Sequence, residues 1–256
     1  MTRRLAISLI LLSLLAGGCA KQQWNTSERL TTLRENDDYT LNHAVAQGET
    51  LRSIADLYYG DPDRAEEIAL INNVIDPDLL AVGEMLELRF TEQEWTDAEG
   101  RRAALDAYND GVAAMRAGSG AVAEDAFRRA LSLDPDLEDA QYNLALVWMR
   151  RGRNEDAEAM LLPLADRHPD DLDVQQAYGQ SLFYQARFDE AVTVFSRILQ
   201  ENPDHRDASF SRASALGESG RRAEAVDAWR SFLRRHPSGT LAERARAELR
   251  ELTSGG

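Results

Sequence analysis

The sequence predicts a multidomain protein: a small α+β domain followed by an all-α superhelix of repeats, behind an apolar N-terminal segment. Three observations predict it. Residues 43–90 carry a strand–helix–helix–strand pattern in under 50 residues. From Ala104 onward the chain is periodic, and Pro135, Pro169, Pro203 and Pro237 follow one another at steps of 34 residues. Residues 1–19 run from two arginines through an apolar stretch to the chain's one cysteine.

Composition narrows the function. The 256 residues are 43% hydrophobic and 29% charged, enough for a buried core under a well-solvated surface. The formal net charge of −15 argues against nucleic acid, whose phosphates need clustered cations. It also argues against purely electrostatic binding to anionic lipid heads. Sugar binding, which relies on hydrogen bonds and apolar contact, is not excluded. One cysteine, Cys19, permits neither an intramolecular disulfide nor a cysteine-based metal site.

The N-terminus reads as an address. Arg3 and Arg4 form a positive start, and residues 5–15 are an apolar run of signal-peptide length, too short for a spanning helix. Ala16, Gly17 and Gly18 then lead to Cys19. This resembles the lipobox of bacterial lipoproteins, with Ala16 where the family prefers Leu. The resemblance implies cleavage after residue 18 and lipidation of Cys19, whose acyl chains anchor the protein in a membrane. Ala20 stands where an Asp retains enterobacterial lipoproteins in the inner membrane, so the expected location is the periplasmic face of the outer membrane. The alternatives are an ordinary secretory signal that ends at a Cys and a weak match to the twin-arginine signal. Residues 19–38, with few apolar anchors, read as a lipidated tether; about 20 disordered residues span on the order of 25 Å.

In the α+β domain, expected over residues 39–91, His43 to Val45 form a strand and Gln47-Gly48 a turn. Glu49 and Thr50 stand where a helix starts, offering a capping oxygen and a negative charge to its dipole. Leu51, Ile54, Ala55 and Tyr58 follow at helical spacing. Gly60-Asp61-Pro62 breaks that helix, and Asp63 opens a second one with Ala65, Ile68, Ala69 and Ile71 as its stripe. Asn72 and Asn73 end it, and Gly83 turns into a strand from Met85 to Arg89.

The motifs Gly48-Glu49-Thr50-Leu51, Ile54-Ala55, Tyr59-Gly60-Asp61, Ile71-Asn72 and Val82-Gly83-Glu84-Met85-Leu86 together resemble the LysM domain, which usually has Asp at the position of Glu49. The resemblance implies binding of N-acetylglucosamine-containing glycan, here peptidoglycan, in a groove between two loops. Those loops carry Gly48, Glu49, Thr50 and Leu51 on one side and Asn72, Asn73, Val74, Ile75, Asp76 and Pro77 on the other. Amides at the helix start can bond the acetamido carbonyl, and Ile75 and Leu51 can pack on its methyl. The plain alternatives are that Leu51 and Ile54 are core and that Glu49 and Thr50 only cap the helix.

Residues 92–103 are polar, with Trp95 isolated among charges, and read as a linker that becomes helical. Beyond it, several columns repeat at the step of 34: Gly111, Ala145, Gly179 and Ala213 are small; Ala123, Ala157, Ala191 and Ala225 are identical; Phe127, Leu161, Phe195 and Trp229 are large. Gly118, Gly152, Ala186 and Gly220 mark a turn between paired helices. A helix–turn–helix unit of this period resembles the tetratricopeptide repeat (TPR). Four repeats are expected, over 104–137, 138–171, 172–205 and 206–239. A capping helix follows over 240–252, with Ala245, Leu249 and Leu252 on one face.

That resemblance implies a docking surface for a protein or peptide, lined by the first helix of each repeat. The implied groove positions are Tyr108, Tyr142, Asn143, Met149, Gln176, Gln180, Phe183 and Phe210. Large apolar residues exposed there suggest partner contact; the alternative is that Phe183 and Phe210 pack between helices. Asn109 and Asn143 are equivalent, but the lysines of a carboxylate clamp are missing.

No catalytic constellation is visible. His168 and His236 fall in equivalent inter-repeat loops, and no phosphate loop, nucleophile elbow or His-Glu-x-x-His occurs. No metal site and no cofactor are expected. The sequence therefore points to an envelope adaptor, tied to membrane and wall, that recruits an envelope protein. The alternative is a passive membrane-to-wall tether with the repeats as a spacer.

Overall fold

The computed structural model describes residues 33–35, 38–76 and 80–254, which fall into two compact units divided between Ala140 and Gln141. Cys19, the signal segment, residues 19–32 of the tether and Pro77 lie outside the described residues. Among the described residues no helix is long and apolar enough to cross a membrane.

In the first unit, β2 (Asp38–Ala44) pairs antiparallel with β3 (Met85–Phe90), placing Leu41 opposite Leu88 and His43 opposite Leu86. Alternation sends Leu41, His43, Leu86, Leu88 and Phe90 inward. A short strand, β1 (Leu33–Glu35), pairs with the outer edge of β2. The tether expected to run to residue 38 thus contains a strand, made by backbone pairing that no side-chain pattern announces.

Helix α1 (Leu51–Tyr59) buries Leu51, Ile54, Ala55 and Tyr58, the stripe its spacing predicts. Gly60, in the left-handed conformation, stops it. A 3-10 turn (Pro62–Arg64) leads into α2 (Ala65–Asn72), of which Ala65 and Ile68 are buried. The expected strand–helix–helix–strand order is present.

The segment expected as a linker is the start of α3 (Glu92–Arg116), a single helix of 25 residues opened by a Thr91–Glu94 capping box. Trp95 is not isolated. It stacks on Tyr39 at 5.3 Å and meets Phe90 edge-on at 5.5 Å, and with Ala98 it belongs to the core of the α+β body. Further ties come from Arg64, paired with Glu94, and from Arg101, whose guanidinium donates to the Tyr58 carbonyl at 2.5 Å. The second half of α3 packs against α4 (Gly120–Leu133) as the first helical hairpin, with Tyr108 against Phe127.

The division between the units falls within α5 (Glu138–Arg150). The second unit continues with α6 (Asn154–Arg167), α7 (Leu172–Tyr184), α8 (Phe188–Glu201), α9 (Arg206–Glu218), α10 (Arg222–Arg235) and α11 (Thr240–Ser254). Consecutive helices pack on one another, and Ala242 and Ala245 of α11 are buried, with Leu249 and Leu252 against the last hairpin.

Two backbone devices repeat at the 34-residue step. Each hairpin turns through one residue of positive φ: Gly118 at 74°, Gly152 at 77°, Ala186 at 60° and Gly220 at 80°. Each second helix ends one residue before an X-Pro bond. The residues before proline, Asp134, His168, Asn202 and His236, leave the helical region with φ between −136° and −123°. Proline's Cδ excludes the helical conformation there.

The small column permits close approach. A Cβ on Gly111 would lie 2.5 Å from the ring of Phe127, and one on Gly179 would lie 2.6 Å from Phe195.

Two substitutions test these devices in opposite directions. Gly179→Ala gains about 1 kcal/mol in helix propensity, but its methyl overpacks against Phe195, which typically costs about 1–3 kcal/mol. The expected result in urea unfolding is a net loss of stability. Ala186→Gly removes a left-handed alanine, and the midpoint should rise by the equivalent of about 0.5–1 kcal/mol.

Candidate functional site

The first candidate lies on the α+β body. Its turn over residues 46–50 is shaped by its own polar side chains. Glu49 Oε2 accepts from the Ala46 amide at 2.7 Å and pairs with His43 Nε2 at 2.8 Å. Thr50 caps α1 through a reciprocal box with Ser53, at 3.1 and 2.9 Å. Leu51 and Ile54 are core. Of the first expected sugar loop, therefore, Thr50 caps the helix and Leu51 is core, while Glu49 ties the turn to β2 rather than capping α1. Gly48 is exposed at φ 87°.

On the second loop the side chains divide. Asn72 is a latch: its carboxamide donates to the carbonyls of Ile68 at 2.9 Å and Glu87 at 2.8 Å, and accepts from the Glu87 amide at 2.6 Å. It joins α2 to β3, and that work occupies both ends of the group expected to face sugar. Asn73 takes the left-handed conformation at φ 55° and ends α2. Val74 is partly buried, its amide bonded to the Ala69 carbonyl at 2.9 Å, while Asp76 is exposed. Ile75 is 99% exposed.

A cleft of about 620 Å³ opens here, walled by Arg52 of α1, Ala69 and Leu70 of α2, and Asn73, Val74 and Ile75. The structure thus brings three of the predicted glycan residues together, Asn73, Val74 and Ile75, and adds five that the sequence reading omitted: Arg52, Ala65, Glu66, Ala69 and Leu70. Leu70, 79% exposed, breaks the amphipathic pattern of α2, and an outward Leu beside an outward Ile is the signal that could have found it. Arg52, the cation on this wall, pairs with exposed Asp63 at 3.1 Å. At the end of α1, Tyr59 bonds both backbone groups of Arg89 and lies under Arg64 at 4.0 Å; burial pushes its hydroxyl pKa up to about 12.

The second candidate, the repeat face, requires a correction. Tyr108, Tyr142, Asn143, Met149, Gln176, Gln180, Phe183 and Phe210 were expected exposed along a groove, and all eight are buried. Phe183 meets Phe188 edge-on at 5.2 Å, Phe210 contacts Trp229 and Phe232 at 4.9 and 5.5 Å, and Gln176 donates to Ser211 at 3.1 Å. The reason is geometric. The first helix of a hairpin packs on its own second helix and on the neighbouring hairpins, so several of its faces are interior. Phe183 and Phe210 accordingly follow the packing alternative.

A polar column also went unread. Arg153, Arg187 and Arg221 precede the second helix of successive hairpins. Each pairs with the acid three residues on: Asp156 at 2.7 Å, Glu190 at 2.7 Å and Glu224 at 2.6 Å. Arg187 also reaches Glu158 of the preceding hairpin at 2.5 Å. The Arg187 guanidinium holds the Glu190 carboxyl below the usual range. Exposed pairs of this kind contribute little individually. Their signal was an Arg-x-x-acid pattern at the same 34-residue step.

Among the described residues no group of three or more His, Cys, Asp or Glu is placed to hold a metal ion.

Helical hairpins turning through a left-handed residue and closing before a proline at a step of 34 define a repeat protein of the solenoid class. The repeats are tetratricopeptide repeats: residues 114–180 and 177–240 match two family models, each described as a tetratricopeptide repeat. The similar solved structures include the three that follow. YrrB, described as a TPR protein with an unusual peptide-binding site, shares 20% identity over 60% of this chain and 79% of its own, with a TM-score of 0.53. A tetratricopeptide repeat protein from Parabacteroides merdae shares 15% over 60% and 61%, at 0.52. MamA shares 21% over 59% and 82%, at 0.50. At these identities the likeness is one of fold. No curated protein matches the sequence. The family matches indicate an interaction scaffold and no catalytic family.

The Asn72 latch makes a direct prediction. Asn72→Ala should destabilise the α+β body by about 1–3 kcal/mol, the cost of stranding the Glu87 backbone groups. Amide exchange of Glu87 should quicken most. Unchanged exchange would rule the latch out.

Proposed function

We propose that this protein is a lipid-anchored envelope lipoprotein that grips peptidoglycan through its α+β body and offers its repeats to a protein partner. The observation that carries the wall-binding reading is the cleft beside α1 and α2. It joins an apolar wall, Leu70 and Ile75, to the start of a helix, beside the loops where the LysM-like motifs fall. An N-acetyl sugar needs both elements: apolar surface for its methyl and faces, and backbone amides for its carbonyl. With no cationic cluster among the walls, recognition rests on these contacts rather than on charge, as the acidic composition also suggests.

The lipid on Cys19 and the location at the periplasmic face of the outer membrane belong to this reading and rest on the N-terminal motif. Anchoring raises the effective concentration of a single weak glycan module near the wall. For the repeats, the family indicates protein or peptide partners, and the peptide-binding site of YrrB supports the same expectation here. The burial of Phe183 and Phe210 favours a second reading, in which the repeats are a spacer between membrane and wall.

Co-sedimentation with purified sacculi tests the wall-binding claim. The full chain should pellet with sacculi, and Leu70→Asp/Ile75→Asp should weaken retention about tenfold or more without unfolding, because both side chains are exposed. A wild-type chain left in the supernatant would contradict the proposal. Separately, Cys19→Ser should release the protein from membranes; continued membrane association would refute the anchor.

A further inference from the structure

We propose that His43 is a positioning residue for glycan binding: acting through Glu49, it fixes the turn that aims the start of α1 at the cleft. This rests on the peptidoglycan reading above. His43 is the one histidine of the α+β body and is 2% exposed, an environment that demands partners for both ring nitrogens. It has them. Nδ1 lies 3.1 Å from the Tyr58 hydroxyl, and Nε2 lies 2.8 Å from Glu49 Oε2. In the tautomer with its hydrogen on Nε2, the ring donates to Glu49 and accepts from the Tyr58 hydroxyl at Nδ1. The ring also meets Tyr58 edge-on at 5.4 Å, so α1 and the carboxylate together fix its orientation.

The same Oε2 accepts the Ala46 amide at 2.7 Å, and the Glu49 amide donates back to the Ala46 carbonyl at 3.2 Å. One carboxylate oxygen therefore ties the end of β2 to both ends of the turn. The next residues are Thr50, which caps α1, buried Leu51, and Arg52 on the cleft wall. The turn needs a tether because Gly48, at φ 87°, imposes no side-chain restraint of its own. Glu suits this role because its side chain lets one oxygen reach both the strand histidine and the turn amide.

The test separates positioning from bulk stability by two readouts on the full chain, sacculus binding and amide exchange. In His43→Leu, exchange of the Ala46 amide should quicken at least tenfold while β3 amides stay protected, and sacculus affinity should fall about tenfold. His43→Gln, which keeps a donor for Glu49 and an acceptor for Tyr58, should restore both to within about threefold. Glu49→Ala removes the same tie from the partly exposed end and should match His43→Leu, which keeps the test decisive if a leucine at residue 43 prevents folding. Variants that loosen the turn yet bind as wild type overturn this proposal alone, and so does a turn that stays protected. A wild-type chain that ignores sacculi overturns the peptidoglycan reading, and this proposal with it.

Discussion

The architecture of the first unit depends on one helix serving two cores. At its start α3 carries Trp95 and Ala98 into the α+β body, between Tyr39 and Phe90; twelve or so residues later the same helix supplies Tyr108 and Val112 to the first hairpin. A helix of 25 residues is about 37 Å long and bends only at the expense of its own hydrogen bonds. Hinging the body against the hairpin would mean breaking that helix or withdrawing Trp95, and losing a buried tryptophan costs about 3–5 kcal/mol. Arg101 and the Arg64–Glu94 pair add ties on either side of the indole. Within residues 38–140, the cleft and the first hairpin therefore move together.

That coupling bears on function. In an adaptor, a flexible linker would let the α+β body and the repeats search independently, whereas a shared helix presents the first hairpin at a set orientation to whatever the cleft holds. Among the described residues, the segment between the cleft and the first hairpin is helix α3 and not a flexible linker. The repeats themselves are built from backbone constraints more than from specific side chains. A left-handed residue turns each hairpin, an X-Pro bond closes it, and a small residue admits a ring at Phe127 or Phe195. Ala186 adopts the same left-handed turn as its glycine counterparts, so the hairpin holds that conformation even where a Cβ penalises it.

What the sequence made legible follows from the range of the force involved. The repeat phase was readable because steric rules at glycine and before proline act within one or two residues. The elements of the α+β body were readable because period-2 and period-3.6 stripes reflect one dominant core. Exposure along the repeat groove was not, because Tyr142, Gln176 and Phe210 lie on helices with several interior faces, and a column at a step of 34 does not say which neighbour it faces. Trp95 was misread because its stripe, continuing through Ala98 to Leu105, crosses from one core into another. Asn72 carried the right residue type for sugar and a different task, a latch whose Glu87 partner is fifteen residues away. Leu70 was passed over although it falls outside the Ala65, Ile68, Ala69 and Ile71 stripe, because a Leu on a short helix is ordinarily taken as core.

The central claim is that α3 makes the α+β body and the first hairpin one cooperative unit. Native-state hydrogen exchange in Trp95→Ala tests it most directly, following β3 amides for the body and α4 amides for the hairpin. The account predicts that both sets lose protection together, by the equivalent of about 3–5 kcal/mol. Loss confined to β3, with α4 protected as in wild type, would show that the helix joins two independent folds and would contradict it.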